Sequence, residues 1–308
     1  MNKTRTFKDY LKIYFSGVLM GSSDIVPGVS GGTMAFILGI YEELINSIKA
    51  VDKEFFIKLY KFQIKDLYNT FPWRFLLALG FGIVSAVLTL SHSIDWVLTN
   101  KPIPTWSFFL GLILASVLLV SKRITKWGTK GGISLGLGVI SAYIIVGLTP
   151  ATTPDTYLFT FLSGALAICA MILPGISGSF ILVILGKYQD ILSAVNNLDF
   201  VTLGVFMAGI AVGITTFARL LGYLFKNYHN VTIAILTGFM LGSVRKIWPY
   251  KEILQTTVDR HGEIVPLVEK NILPIINSTF YFGVLMMLVG ILLVIVIEKI
   301  SEKKEAKS

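Results

Sequence analysis

Long apolar runs alternate along this chain with short lysine-rich stretches. A helix needs ~20 apolar residues to cross a bilayer. Three runs in the first half meet that length: residues 73–98, 105–121 and 131–148. Three in the second half match them: residues 200–225, 231–244 and 279–297, the middle one able to continue through Ile247. The other apolar stretches are shorter and interrupted. Residues 13–23 stop at Asp24, and residues 27–41 open with Pro27-Gly28 and are rich in glycine. Residues 157–173 run into Pro174-Gly175, and residues 176–186 make only a few helical turns. Such segments in matching positions of two halves predict broken or re-entrant helices. Two ordinary kinked spans per half are the alternative. Irregular backbone persists at membrane depth only where protein or a wet cavity satisfies its polar groups.

The two halves repeat each other. Pro27-Gly28-Val29-Ser30-Gly31 aligns with Pro174-Gly175-Ile176-Ser177-Gly178. The same offset aligns Ile37-Leu38-Gly39 with Ile184-Leu185-Gly186, and Tyr41 with Tyr188. A second patch pairs Gly111, Leu114, Ser116 and Val117 with Gly238, Leu241, Ser243 and Val244. The expected fold is an all-α polytopic membrane protein, one membrane domain over residues 1–308. It holds two inverted-topology repeats, 8–150 and 155–299. Each is a re-entrant or broken helical hairpin plus three transmembrane helices. Three crossings are an odd number, so the second repeat inserts upside down relative to the first. Residues 51–70 set Phe55, Phe56, Leu59, Phe62 and Leu67 among lysines, as an amphipathic cytoplasmic connector on the inner leaflet would.

Composition supports this class. Hydrophobic residues make up 54% of the chain and charged residues 15%. That excludes a disordered chain, a coiled coil and a disulfide scaffold, and argues against a soluble enzyme. The net charge of +9 would suit nucleic acid if it formed one soluble basic patch. Most of the Lys and Arg residues lie instead in the N-terminus, the 49–74 connector, the 121–131 loop and the tail. The positive-inside rule then puts both termini in the cytoplasm of a multi-pass membrane protein. No nucleic-acid partner is expected. The basic N-terminus and residues 13–21 lack a small-x-small cleavage site and read as retained. Cys169 is the lone cysteine and there are three histidines, so no disulfide, metal site or cofactor is expected.

The pair of Pro-Gly-x-Ser-Gly turns is the strongest chemical signal. Proline suits a helix start, where its missing N–H would be unpaired anyway. Glycine lets the backbone approach a ligand. Ser30, Thr33, Ser177 and Ser179 can cap a helix or donate hydroxyls. First-turn N–H groups then favour an anion, phosphate above all. Close helix packing is the other use of such glycines. Arg219 lies within an apolar run. Three roles are open to it: pairing with a bound anion, pairing with Asp24 or Glu42, or snorkelling to the cytoplasmic edge. Asp24 precedes the first turn where the second copy has Met171. It can carry a proton for coupled transport or cap the following helix. Glu42 and Glu43 mark a polar rim or the water interface.

These residues resemble a known family. Met20-Gly21-Ser22-Ser23-Asp24-Ile25-Val26-Pro27-Gly28-Val29-Ser30-Gly31-Gly32-Thr33, with Gly39-Ile40-Tyr41-Glu42, is similar to the signature of the bacterial undecaprenyl-phosphate translocases. Leu173-Pro174-Gly175-Ile176-Ser177-Gly178-Ser179 is similar to its second motif. The resemblance implies a non-enzymatic transporter that returns undecaprenyl phosphate from the outer to the inner leaflet for cell-envelope synthesis. Its partners would be that lipid and the surrounding membrane lipids. A phosphate site would comprise Ser30, Gly31, Gly32, Thr33, Ser177, Gly178 and Ser179, with Arg219 as counter-charge. Pro27, Gly28, Pro174 and Gly175 would shape the turns, and Asp24, Glu42 and Glu43 would be candidates for coupling or gating. Two alternatives stand beside it. An undecaprenyl-diphosphate phosphatase shares the Pro-Gly-x-Ser turn but carries arginine where this chain has Gly31 and Gly178. A small-anion transporter also uses the dipole ends of half-helices. The sequence leaves the oligomeric state open.

Overall fold

The computed structural model describes residues 5–26, 29–151, 153–258 and 264–305; Pro27 and Gly28 lie outside them. The chain opens with α1 (Phe7–Ile25), α2 (Gly31–Ile37) and α3 (Tyr41–Lys49). Asp9 and Thr6 form a capping box at the start of α1, with the Thr6 N–H donating to Asp9 Oδ2 at 2.9 Å. Ser30 caps α2 by accepting from the Gly32 N–H at 3.1 Å. The helix stops after seven residues because Gly39 turns left-handed at φ +72°. The Ile40 N–H then reaches back to the Ala35 carbonyl at 3.0 Å, a Schellman ending.

Two short helices follow, α4 (Lys53–Tyr60) and α5 (Ile64–Thr70). The expected 51–70 connector is therefore helical but broken at Phe62, where φ is +53°. Neither helix buries a residue. Next come α6 (Trp73–Asn100), α7 (Pro102–Ser121) and α8 (Thr129–Ile145). The second half opens with α9 (Tyr157–Ile172), α10 (Gly178–Ile184) and α11 (Tyr188–Asn196). The ending of α10 copies that of α2: Gly186 has φ +65°, and the Lys187 N–H meets the Leu182 carbonyl at 2.9 Å. The chain bends by 108° there into α11. Lys187, only 2% exposed, anchors the bend between Asp155 and Asp190, each at 2.9 Å.

The long element α12 (Phe200–Ile247) contains two helices that meet at Tyr228, whose φ of −136° and ψ of 43° break the helix. Residues 200–227 and 229–247 thus form two helical limbs over the two runs expected to span, with no separate loop. An antiparallel hairpin follows, β1 (Lys251–Val258) and β2 (Ile264–Asn271), with Lys251 opposite Asn271 and Glu252 opposite Lys270. The chain ends in α13 (Ser278–Glu305). The hairpin corrects the all-α expectation. Polar and charged residues in both strands gave no clean alternation to read.

Four described helices are long and apolar enough to cross a membrane: α6, α7, α12 and α13. Counting the bent α10–α11 pair as one span makes five. The span expected at 131–148 corresponds to α8, apolar but only 17 residues long. The chain is a mostly helical, multi-pass membrane protein.

Glycine stripes decide how these helices pack. Helix α1 lies along α6 with Gly17 against Gly82, and a Cβ added at Gly82 would stand 2.0 Å from the Tyr14 carbonyl oxygen. Helix α8 lies equally close to the second limb of α12, where a Cβ on Gly138 would stand 2.2 Å from the Ile235 carbonyl oxygen. Small residues are what lets backbones approach so closely in lipid, where no hydrophobic effect drives helices together. Replacing Gly82 or Gly138 with valine should cost about 1–3 kcal/mol through overpacking. The check is the thermal unfolding midpoint in detergent, which should fall for both variants and stay unchanged for valine at open Gly80.

Candidate functional site

The two interrupted turns meet. Ser30, at the start of α2, donates its hydroxyl to the Met171 carbonyl at 3.2 Å, at the end of α9. The Thr33 hydroxyl accepts from the Gly175 N–H at 2.8 Å. Tyr41 donates to the Ile172 carbonyl at 3.1 Å. Ser30, Thr33 and Tyr41 are each 1% exposed, so these bonds lie in the interior. Gly32 makes the approach possible, since a Cβ there would stand 2.6 Å from the Ile172 carbonyl oxygen. Gly175 has φ +90°, which favours glycine, and Pro174 beside it is buried.

The turns differ in how their N–H groups are used. In the first, Gly31 donates to Asp24 Oδ1 at 2.7 Å, Gly32 to Ser30 Oγ, and Thr33 to the Ser30 carbonyl at 2.9 Å. Asp24 therefore caps α2 and stands where an external anion would. In the second, Met171 replaces that carboxylate. The Ser177 and Ser179 hydroxyls bond each other at 2.8 Å, and Ser177 caps nothing. Among the described residues, none accepts from the N–H of Gly178, Ser179 or Phe180.

Ser179 lines a cavity of about 890 Å³. Its walls come from α8, α10, the second limb of α12 and the β-hairpin, and include Arg245, Lys246, Lys251 and Glu269. Sequence reasoning missed this cluster. The signal in the chain was Arg245-Lys246 closing an apolar run, but Lys251 and Glu269 join them only through the hairpin. Burial alone would push the Glu269 carboxyl up; Lys251 and Lys246 outweigh it and hold it below the ordinary carboxylate range. Burial pulls the Lys251 ammonium down.

Arg219 is not part of this assembly. Its side chain is exposed on α12 and makes no hydrogen bond or ion pair with the described residues. It sits six residues, ~9 Å, past Gly213, whose carbonyl faces the Cys169 thiol. Pairing with Asp24 or Glu42 does not occur, since Asp24 meets Gly31 and Glu42 meets His229 Nε2 at 3.1 Å. Glu43 accepts from Arg5 Nη2 at 2.7 Å. The Glu42–His229 hydrogen bond and the Glu43–Arg5 ion pair tie α3 to the α12 break and to the N-terminal segment.

A phosphatase-type turn does not fit either copy. A Cβ on Gly31 would stand 2.5 Å from Asp24 Oδ2, and one on Gly178 2.7 Å from the Ala167 carbonyl oxygen. Arginine, the cation such chemistry needs, would have to displace the Asp24 carboxylate at Gly31 and backbone at Gly178.

A multi-pass helical protein whose two interrupted hairpins touch through hydroxyls and carbonyls, beside a cationic cavity, has the features of a transporter for an anionic lipid. The chain belongs to the undecaprenyl phosphate translocase-like family, whose model matches residues 20–265. It is 41% identical over 303 residues to a polyprenyl-phosphate transporter of Vibrio cholerae, covering 96% of this chain and 98% of that one. It is 31% identical over 251 residues to a polyprenyl-phosphate transporter of Staphylococcus aureus, covering 76% and 84%. No solved structure matches the chain. The family is one of translocases, and the hydrolytic alternative is not favoured.

The Glu269 linkage has a definite sign. Its carboxyl is lowered in the fold, so its contribution is complete above the ordinary value of 4.5 and is lost as pH falls through the lower folded value. Unfolding midpoints taken from pH 7 down to pH 3 should fall more steeply for the native chain than for Glu269→Gln. Parallel curves would contradict the linkage.

Proposed function

We infer that this chain is a lipid-carrier transporter that moves a polyprenyl phosphate, undecaprenyl phosphate in particular, from the outer to the inner leaflet of the bacterial plasma membrane. The carrying observation is the contact between the two turns in the interior, one occupied by its own carboxylate and the other open towards a cationic cavity. Family membership supplies the substrate class.

Inverted repeats account for the packing. Exchanging the repeats turns α7 on α13 into the second limb of α12 on α8, and both pairs are close. Gly111 and Gly238, paired in sequence, both face a carbonyl oxygen across their interface, that of Met287 and that of Leu135. The matched Schellman glycines Gly39 and Gly186 end the two returning helices alike. Lysine distribution supports cytoplasmic termini. The exposed Phe56 and Phe62 of the connector, 58% and 84% accessible, suit contact with the inner leaflet.

The phosphate binds first at Ser177, Gly178 and Ser179, where hydroxyls and N–H groups are unclaimed by α9. To reach Ser30, Gly31, Gly32 and Thr33 it must displace Asp24 from the Gly31 N–H. Asp24 is thus the gate of the inner turn. The Glu42–His229 and Glu43–Arg5 pairs latch α3 on the cytoplasmic side while the outer side is open. Arg219, on the exposed face of α12, suits a later contact with the departing phosphate near the inner interface.

Proteoliposomes with a fluorescent short-chain polyprenyl phosphate test this reading. Ser177→Ala with Ser179→Ala should slow flipping about tenfold, the loss of one charge-assisted hydrogen bond. Asp24→Asn keeps the acceptor for Gly31 and removes the charge. It should preserve the unfolding midpoint and speed flipping, because the phosphate then displaces a neutral acceptor. Native rates in both variants would contradict the site.

A further inference from the structure

The cavity beside the second turn has more positive charge than its own carboxylate can balance. Lys246 and Lys251 share one oxygen, Glu269 Oε2, at 3.4 and 3.0 Å. Lys251 is only 10% exposed on its side chain, so it depends on that oxygen rather than on water. Arg245 also lines the cavity without any carboxylate partner among the described residues. One of its N–H groups goes to the Tyr143 carbonyl at 3.0 Å, and its guanidinium stacks 4.3 Å from the Tyr143 ring centre. Gly147 leaves the space for it, since a Cβ there would stand 2.1 Å from Nη1. A guanidinium has five donors, so most remain available. The ammonium groups are held in place too, Lys246 over Phe180 at 5.0 Å and Lys251 over Trp106 at 4.9 Å.

We propose that this cavity is a receiving site for a phosphate monoester headgroup, bound by Arg245, Lys246 and Lys251, with the Glu269 carboxylate as the internal stand-in that the phosphate displaces. The inference deepens the transport reading and rests on it. A carboxylate offers two oxygens and one charge; a phosphate monoester offers three terminal oxygens and up to two charges. It can therefore serve both ammonium groups and the guanidinium fork together, which Glu269 does not. The cavity of about 890 Å³ far exceeds a phosphate, and Val183, Leu241 and Leu254 on its walls suit the first isoprene units of an attached chain. Ser179 on the same wall gives the phosphate its next contact, at the second turn.

Calorimetric titration of the full chain in detergent tests this, with geranylgeranyl phosphate, inorganic phosphate and geranylgeraniol as probes. Geranylgeranyl phosphate should bind the native chain. Lys246→Gln with Lys251→Gln should weaken it at least about tenfold. Glu269→Gln should tighten it several-fold, because the competing carboxylate is gone. This gain cannot arise from misfolding, so it keeps the test sound even if the lysine variant is unstable. Unchanged or weaker binding in Glu269→Gln would overturn the stand-in role. Equal binding of inorganic phosphate, or of geranylgeraniol, would overturn the lipid-phosphate assignment. Flipping measured on the same samples separates the two readings. Native flipping with unaltered binding in all variants sinks this inference and leaves transport standing. Binding as expected without any flipping by the native chain sinks the transport reading instead.

Discussion

Backbone polar groups that lose their helix partners inside a bilayer cost several kcal/mol each unless the protein supplies others. Both hairpins of this chain break their helices deep in the molecule, so both must find such partners. The first hairpin meets its own N–H groups with Asp24 and Ser30, and its side chains meet backbone groups at the break of the second. The Gly175 N–H goes to Thr33, the Met171 carbonyl to Ser30 and the Ile172 carbonyl to Tyr41. The contact is polar, small and built from single bonds worth about 1 kcal/mol net. A contact of that kind holds a ground state and still lets a competing anion take its place.

The asymmetry between the turns gives this state its direction. Asp24 fills the first turn, and the second, with Met171 in its place, is unfilled. The cationic cavity abuts the unfilled side. Glu42 meets His229, and Glu43 pairs with Arg5, so α3 is tied at both. A lipid with one phosphate and a long apolar tail needs only its head to enter such a path, with the tail left in the bilayer.

Much of this was legible in the sequence because the signals are long or local. The apolar runs of α6, α7 and α13 exceed any soluble helix, and Pro174-Gly175 beside Ser177 announces a break within six residues. Gly39 and Gly186, aligned in the repeat, both adopt left-handed backbone. What stayed hidden depends on distance. The β-hairpin at 251–271 has mixed polarity and an irregular register, which no period of two reveals. Lys251 and Glu269 become neighbours of Lys246 only when those strands pair. The surroundings of Arg219 were hidden for another reason. A cation in an apolar run looks buried, but the helix face it occupies points outward, which sequence position alone cannot decide.

The central claim is that the phosphate travels between the two touching turns. A structure of the chain in a lipid nanodisc with bound polyprenyl phosphate tests it most directly. The account predicts the phosphorus within hydrogen-bonding reach of Ser177 and Ser179, or beyond them towards Ser30 with Asp24 withdrawn from Gly31. A phosphate held on the outer face of α12 beside Arg219, with both turns still bonded as they are here, would contradict it.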